Sequence, residues 1–352
     1  MARFGKCLNF FASVLSHSRT PRETGRVAGT LSVLSHDEHL GWTKGEALPG
    51  ATVTPHAVNR PDTRASSAPS LLGYTHLRNP ESVLVTDWWR IDDDRFALRV
   101  EWPPAPANLP YDPRILTQTI RQSGLVVAHA ECDVPLEHQT VLRRLDFLIS
   151  PEFRPPAGRA LTLDVEVIVS RVQGKRSAGS LRMGIDVLHD GSPVVQADTE
   201  FAWISPRAYR RLRGEYLTVD WGSWPLPAPV EPELVDRDSE ADVLLAPTAS
   251  PNRWQLRTDV GHRLLFDHPV DHVPGLVLVE AADQAARAML APTSFVATRV
   301  RTSFARYVEF DQPCWISAVR LPTAHPRRLA AQVIGTQGGE HAFSVDFQGL
   351  AP

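Results

Sequence analysis

The strongest constraint on this chain is that it repeats itself. Gln118 and Gln122, at i and i+4 within an apolar run, are echoed by Glu280 and Gln284 within another. Arg95-Phe96-Ala97-Leu98-Arg99 is echoed by Arg253-Trp254-Gln255-Leu256-Arg257, and Phe147 with Glu152-Phe153 by Phe304 with Glu309-Phe310. The three matches keep one order at offsets of roughly 160 residues, far longer than a solenoid unit, so a whole domain is duplicated. Function is to be sought where the two copies meet.

The pattern within each copy sets the fold class. Residues 95–102 alternate as a strand, a Pro-rich stretch follows from Pro103 to Pro113, and an apolar segment over 114–130 has helical spacing. Long alternating strands come next over 160–172, 181–188 and 193–204, the last two joined by Asp190-Gly191, a two-residue hairpin signal. The second copy reads as strands 243–245 and 253–258, a loop 266–274, a helix 275–290, and strands including 314–321 and 329–335. Strand, helix, then a run of strands predicts α+β, with one helix per copy packed on an antiparallel sheet. The expected organisation is an N-terminal extension over 1–70, a first domain over 71–206, a linker over 207–242 and a second domain over 243–352. The extension lacks any sustained period of 2 or 3.6 and is expected to be disordered and dispensable. The linker is marked by Pro225, Pro227, Pro229 and Pro232 and an acidic stretch from Glu231 to Asp242.

Composition narrows the function classes. A formal charge of −3 argues against nucleic acid as a partner. Three cysteines, Cys7, Cys132 and Cys314, without C-x-x-C spacing suggest neither a disulfide framework nor a zinc site, and fit a reducing, cytoplasmic setting. No apolar run has the length a membrane-spanning helix needs. The apolar stretch Leu8–Leu15 after Arg3 and Lys6 is broken by Asn9 and lacks a small-residue cleavage site, so it is not read as a signal peptide. Asp92-Asp93-Asp94 lacks the spacing and Gly of a calcium loop and reads as a hairpin turn.

The second helix draws attention because Glu280 sits in a segment that is apolar or small nearly all round. A carboxylate there must be paired, with Arg299 or Arg301 as the expected partner, or protonated, or used in chemistry. The loop leading into that helix reads Asp267-His268-Pro269-Val270-Asp271-His272-Val273-Pro274-Gly275. Two histidines and two aspartates before free helix-end amides suit acyl chemistry. A His268/His272 metal pair is disfavoured by Pro269 and Pro274, which keep the two off one helical turn, and by the lack of a third ligand.

The pattern His-Pro-x-x-x-x-Pro-Gly-x-x-x-x-Glu-x-x-x-Gln resembles the hot-dog dehydratases of fatty-acid synthesis, although their histidine lies farther before the Pro-Gly. A more specific resemblance covers about residues 74–350. His76-Leu77-Arg78, Val83 to Asp87, Leu116 to Gln122, Tyr209 to Gly214 and Asp267 to Gly275 together resemble the A-factor biosynthesis family of actinomycetes. The resemblance implies two fused hot-dog domains and an acyltransferase of γ-butyrolactone autoregulator synthesis, a quorum-sensing signal of secondary metabolism. Such an enzyme joins a β-ketoacyl group from acyl carrier protein to dihydroxyacetone phosphate. No cofactor is implied beyond the donor's phosphopantetheine, and the chain is expected as a monomeric pseudo-dimer or a homodimer. Two departures stand out: the family pattern has Glu at Gln118 and Arg at Asp283, so a weakened synthase is among the expectations.

On this reading Glu280 is the base, the Gly275 amide the oxyanion donor, and His268 or His272 orients or protonates. Gln118, Gln122, Asp283 and Gln284 line the substrate, and Arg121 takes the phosphate because it holds in the first helix the slot that Asp283 fills in the second. Arg207, Arg210, Arg211 and Arg213 form a basic run suited to an acidic carrier protein or to plain solvation. Two rival readings remain open: a hot-dog dehydratase or thioesterase, and a non-catalytic double hot-dog that binds an acyl ligand.

Overall fold

Twelve antiparallel strands form one sheet in a computed structural model of the chain, in the order β1-β2-β4-β5-β6-β3-β9-β12-β11-β10-β8-β7. The structure describes residues 70–351 apart from 107–108, 157 and 176–177, so the expected extension over 1–70 lies almost wholly outside the described residues. The strands are β1 (Val85–Arg90), β2 (Arg95–Trp102), β3 (Gln139–Ile149), β4 (Leu161–Lys175), β5 (Ala178–His189), β6 (Ser192–Ile204), β7 (Leu245–Pro247), β8 (Arg253–Leu256), β9 (Val296–Phe304), β10 (Cys314–Arg320), β11 (Arg328–Gln337) and β12 (Glu340–Leu350). The order is a palindrome: each strand of the first half has its repeat at the mirrored place in the second. The repeat in the sequence is thus a pseudo-two-fold in space, with β3 and β9 at its centre.

That central pairing is short, being confined to Phe147↔Val300 and Leu148↔Arg299. Side chains extend it. The Leu145 amide donates to Thr302 Oγ1 at 3.0 Å, and the Thr302 amide donates to Asp146 Oδ1 at 3.0 Å. These bonds satisfy buried amides where the two sheet halves diverge.

One long helix crosses each half: α1 (Pro113–Ala130) and α3 (Gly275–Leu290), with the short α2 (Pro206–Arg213) between them in sequence. Helix α1 starts where Asp112 accepts from the Arg114 amide and Pro113 occupies the first turn, where it costs no hydrogen bond. Both long helices are buried almost all round, as helices wrapped by a sheet must be. Close approach is bought by small residues: Ala281, Ala282, Ala285 and Ala286 on α3, and Gly124 on α1, where a Cβ would lie 2.7 Å from the Phe201 ring.

The polar pair repeated at i+4 turns out to serve this architecture. Gln122 accepts from the Leu84 amide at 2.7 Å and donates to the Ser82 carbonyl at 2.9 Å. Gln284 does the same one repeat later, accepting from the Leu244 amide at 2.8 Å and donating to the Asp242 carbonyl at 2.8 Å. In each half a glutamine thereby pins the chain entering the edge strand to the central helix. The expected substrate contacts of Gln122 and Gln284 give way to this role, because all of these polar groups are occupied and both residues are fully buried.

The segment expected as a linker is packed structure. Trp224 stacks on Phe310 at 4.3 Å and donates from its indole to the Thr258 carbonyl, while Trp221 meets Phe310 edge-on at 5.5 Å. Its arginines Arg213 and Arg237 are buried in the second half. Prolines mark the segment as irregular, but the four-ring cluster of Trp221, Trp224, Phe266 and Phe310 fixes it.

Candidate active site

The loop before α3 lies at the seam between the halves. Asp267 accepts from the Arg78 amide at 2.5 Å and the Asn79 amide at 2.9 Å, both in the first half. Gln118 of α1 donates from Nε2 to the Leu264 carbonyl at 3.2 Å. Arg114, also on α1, pairs with Asp112 and with Asp242, and Asp242 in turn holds His262 at 3.0 Å. First-half helix and second-half loop are therefore locked together.

Each histidine of the loop is backed by the aspartate before it. His268 Nδ1 lies 3.0 Å from Asp267, and His272 Nδ1 lies 2.8 Å from Asp271. A carboxylate only accepts, so Nδ1 carries the proton in the neutral ring and Nε2 is left as the basic atom. Burial pushes the Asp267 carboxyl up, but the Arg78 amide, His268 and the Asn79 amide more than offset it, and the group stays below its ordinary value. It remains an anion able to stabilise a protonated imidazole, the arrangement that turns histidine into a general base.

Near the Asp267–His268 pair the first half contributes Arg121 and His76, each of which feels a member of that pair electrostatically. Arg121 donates to the Thr75 carbonyl at 3.2 Å and has no carboxylate within ion-pairing distance among the described residues. Burial pushes its guanidinium down to about 10, and Asp267 draws it part of the way back. It stays charged at neutral pH. His76 is its neighbour and hydrogen-bonds His129 at 2.7 Å between the two Nε2 atoms, while His129 Nδ1 donates to the Val134 carbonyl. Burial, followed by His129, Arg121 and His268, pushes His76 down to about 4, so it is a neutral ring at pH 7. Gln118 adds an amide whose oxygen is buried without a hydrogen-bond partner among the described residues.

His272 has its own support. Asp271 accepts from the Tyr209 hydroxyl at 2.6 and 2.7 Å and from Arg213 Nε at 2.8 Å, and Arg213 also grips Glu309 through two bonds of 2.7 Å. The His272 ring lies 4.5 Å from Tyr307, over which Arg213 stacks. Burial raises the Asp271 carboxyl, but His272, Tyr209 and Arg213 outweigh it and hold the group near 2. Gly275 opens α3 after Pro274, and a Cβ there would meet the Phe304 ring at 3.4 Å. Phe304 thus covers the helix end from one side.

Glu280 belongs elsewhere. Its Oε1 accepts from Arg237 Nε at 2.8 Å, Arg237 Nη2 at 2.6 Å and Gln284 Nε2 at 2.7 Å. The expected partners Arg299 and Arg301 are replaced by Arg237, from the segment read as a linker. Asp283 joins the same network, bonded to Arg287 at 2.7 Å and to Arg237 at 3.1 Å. Burial raises Asp283, but Arg287 and Arg237 more than offset it and keep it ionised. Among the described residues, no hydrogen bond of Glu280 or Asp283 reaches the histidine loop. These two face a cavity of about 20 Å³, room for about one water and too small for an acyl chain, walled by Thr117, Phe147, Val300 and Phe347. The pseudo-two-fold thus generates two related places, and they differ: one holds Arg121, Gln118 and the His268 loop, the other an ion-pair network facing a proline-rich loop without histidine.

The profile of the A-factor biosynthesis hotdog domain matches twice, over residues 66–205 and 222–348. This chain belongs to the A-factor biosynthesis family. Within the family it is 40% identical over 269 residues to the 2-oxo-3-(phosphooxy)propyl 3-oxoalkanoate synthase of Streptomyces virginiae, spanning 74% of this chain and 91% of that protein. It is 34% identical over 314 residues to the synthase of the same name from Streptomyces griseus subsp. griseus, spanning 86% and 98%. Solved hot-dog structures are more distant. The 12:0-ACP thioesterase of Umbellularia californica aligns over 73% of this chain and 94% of its own at 11% identity and a TM-score of 0.43. A hot-dog protein from Alicyclobacillus acidocaldarius aligns over 81% and 99% at 13% identity and 0.40.

Against the sequence reading of this family member, the structure brings His268, Gln118 and Arg121 together and separates Glu280 from them. It also adds Asp267, Asp271, His76 and Tyr209, which the sequence reading left without roles. The two aspartates were legible: each directly precedes its histidine. His76 and Tyr209 lie in motifs that carry the family resemblance, but nothing local placed them at the site, since they reach it from segments about 190 and 60 residues away in the chain. Arg213, expected with the outward basic run, points inward instead.

Proposed function

We propose that this chain is a 2-oxo-3-(phosphooxy)propyl 3-oxoalkanoate synthase, moving a β-ketoacyl group from the pantetheine thioester of an acyl carrier protein to a hydroxyl of dihydroxyacetone phosphate. The observation that carries the mechanism is one juxtaposition: an Asp-backed imidazole, Asp267–His268, near a half-buried guanidinium, Arg121, that feels Asp267 but has no carboxylate within ion-pairing distance among the described residues. The imidazole meets the need for a base and the guanidinium the need for a phosphate anchor. The first half supplies one and the second half the other.

The step balances with these groups alone. His268 Nε2 takes the proton of the acceptor hydroxyl, whose oxygen attacks the thioester carbonyl. The Gly275 amide at the start of α3 donates to the tetrahedral oxyanion. Collapse breaks the C–S bond, and the thiolate recovers the proton from His268, giving ester and free thiol. Arg121 holds the phosphate in a charge-assisted bond, and His76, neutral at pH 7, adds a hydrogen-bonding ring without adding charge. Gln118 presents an amide where the family pattern has a carboxylate, so it orients substrate and does not take a proton. With Glu280 committed to Arg237, the base is assigned to His268 rather than to Glu280, and His272 is placed at the thioester side. Group transfer of this kind needs no cofactor beyond the donor's own pantetheine, and both substrates belong to a cytoplasmic setting.

Product mass after incubation with a β-ketoacyl carrier protein, with and without dihydroxyacetone phosphate, tests the reading. The phosphorylated ester, or the butenolide it cyclises to, is expected only with the acceptor present. Free acid or an enoyl product formed without the acceptor would replace the proposal with a thioesterase or dehydratase. Tight binding of the donor with no turnover would leave a ligand-binding protein.

A further inference from the structure

Helix α2 has two faces of opposite use. Tyr209 and Arg213, at i and i+4, point inward and hold Asp271 beside His272. Arg207, Arg210 and Arg211 share the outward face at i, i+3 and i+4, and all three are exposed. None has a hydrogen bond or ion pair among the described residues. On the sheet surface, by contrast, Arg90, Arg99 and Arg182 each hold a carboxylate. Helix stability does not account for the cluster. Arginines in the last turn favour the helix dipole, but Arg207 stands in the first turn, where a cation opposes it. The neighbouring acid is Glu215, in the turn that follows, and the helix itself has none. In a chain of net charge −3, three unpaired guanidiniums gathered on one short helix point to an acidic partner.

Resting on the synthase reading, we infer that the outward face of α2 is the docking surface for the acidic carrier protein that delivers the acyl thioester. The same helix then fixes two things at once. Its outer arginines seat the carrier, and its inner residues hold the Asp271–His272 pair toward the thioester that the carrier presents.

The test compares the full-length chain with the variant Arg207→Glu/Arg210→Glu/Arg211→Glu, using β-ketoacyl carrier protein and β-ketoacyl-N-acetylcysteamine as donors with dihydroxyacetone phosphate. The expected result is a fall in kcat/KM of about 10-fold or more for the carrier-borne donor, with the small thioester and the melting temperature unchanged. The triple Arg→Lys variant, which keeps the charge, should recover most of the carrier reaction. Equal loss with both donors, or no loss with either, overturns the inference. If the native chain turns over neither donor, the synthase reading fails, and docking is then read by titrating the acyl carrier protein at low and moderate salt. Salt-sensitive binding that the Glu variant abolishes upholds the surface, and absence of binding overturns it. So does binding of duplex DNA or phosphatidylglycerol vesicles through these arginines with the carrier unaffected.

Discussion

Removing Arg237 should destabilise the chain more than neutralising Glu280. Both side chains of this pair are about 2% exposed. Arg237 gives Glu280 two bonds and Asp283 one, and its remaining nitrogen caps the Val235 and Asp236 carbonyls at 3.1 and 3.0 Å. In Arg237→Met, Asp283 keeps Arg287, but Glu280 is left as a buried carboxylate with only the Gln284 amide. Breaking a buried pair in this one-sided way costs about 3–5 kcal/mol. At about 2–4 °C per kcal/mol for a chain of this size, the melting temperature should fall by about 6–20 °C. Glu280→Gln leaves Arg237 its bond to Asp283 and keeps a neutral acceptor in place, so it should lose only about 1.5–3 kcal/mol, the worth of a charged hydrogen bond. Combining Arg237→Met with Glu280→Gln should recover part of the single-variant loss, because the uncompensated charge is gone. Thermal melts by circular dichroism, with turnover measured on the same samples below the lowest transition, separate stability from chemistry. A melting temperature for Arg237→Met within about 2 °C of the native chain, a shift worth about 1 kcal/mol or less, would refute the argument that this network is structural.

Two further outcomes follow from the same kind of accounting. Gln122→Ala and Gln284→Ala each leave a buried amide and a carbonyl unpaired, so each should cost about 2–4 kcal/mol in denaturant unfolding, and a loss in only one half would show that the pinning is not a true repeat. His76 has a depressed pKa, near 4 against an ordinary 6.5, so below about pH 6.5 the unfolded chain takes up a proton the folded chain resists. Stability should therefore fall as the pH drops from about 6.5 to 4, and His76→Gln should flatten that slope; an unchanged slope would show that His76 is not the group responsible.

The sequence was most legible where a local rule operates. Asp190-Gly191 forms the expected turn, both residues having positive φ, and joins β5 to β6 through the His189↔Ser192 pair. Helix α3 runs over the expected 275–290 because Pro274 and Gly275 mark its start and Ala291-Pro292 its end. The palindromic sheet was implicit in the duplication. Other signals were real but meant something else. The repeated glutamine drew the eye as a polar residue on a buried helix, yet what repeats is a backbone pin, a need shared by two copies of a fold rather than by two active sites. Arg237 could not be paired with Glu280 in advance, since an ion pair between residues 43 apart leaves no periodicity and its segment looked like a linker. Arg121 was found by comparing the copies, because a cation in one helix where the other has Asp283 breaks the symmetry that architecture alone would keep.

The central claim is that chemistry runs on Asp267–His268 at the seam, with Glu280 in a structural role. Steady-state ester formation by native, His268→Gln and Glu280→Gln chains, each checked to be folded at the assay temperature, tests it most directly. His268→Gln should lose about 10²-fold or more in kcat with its melting temperature unchanged, while Glu280→Gln should keep turnover within a few-fold and lose stability. Full turnover by His268→Gln, or a folded Glu280→Gln chain that has lost the reaction, would contradict it.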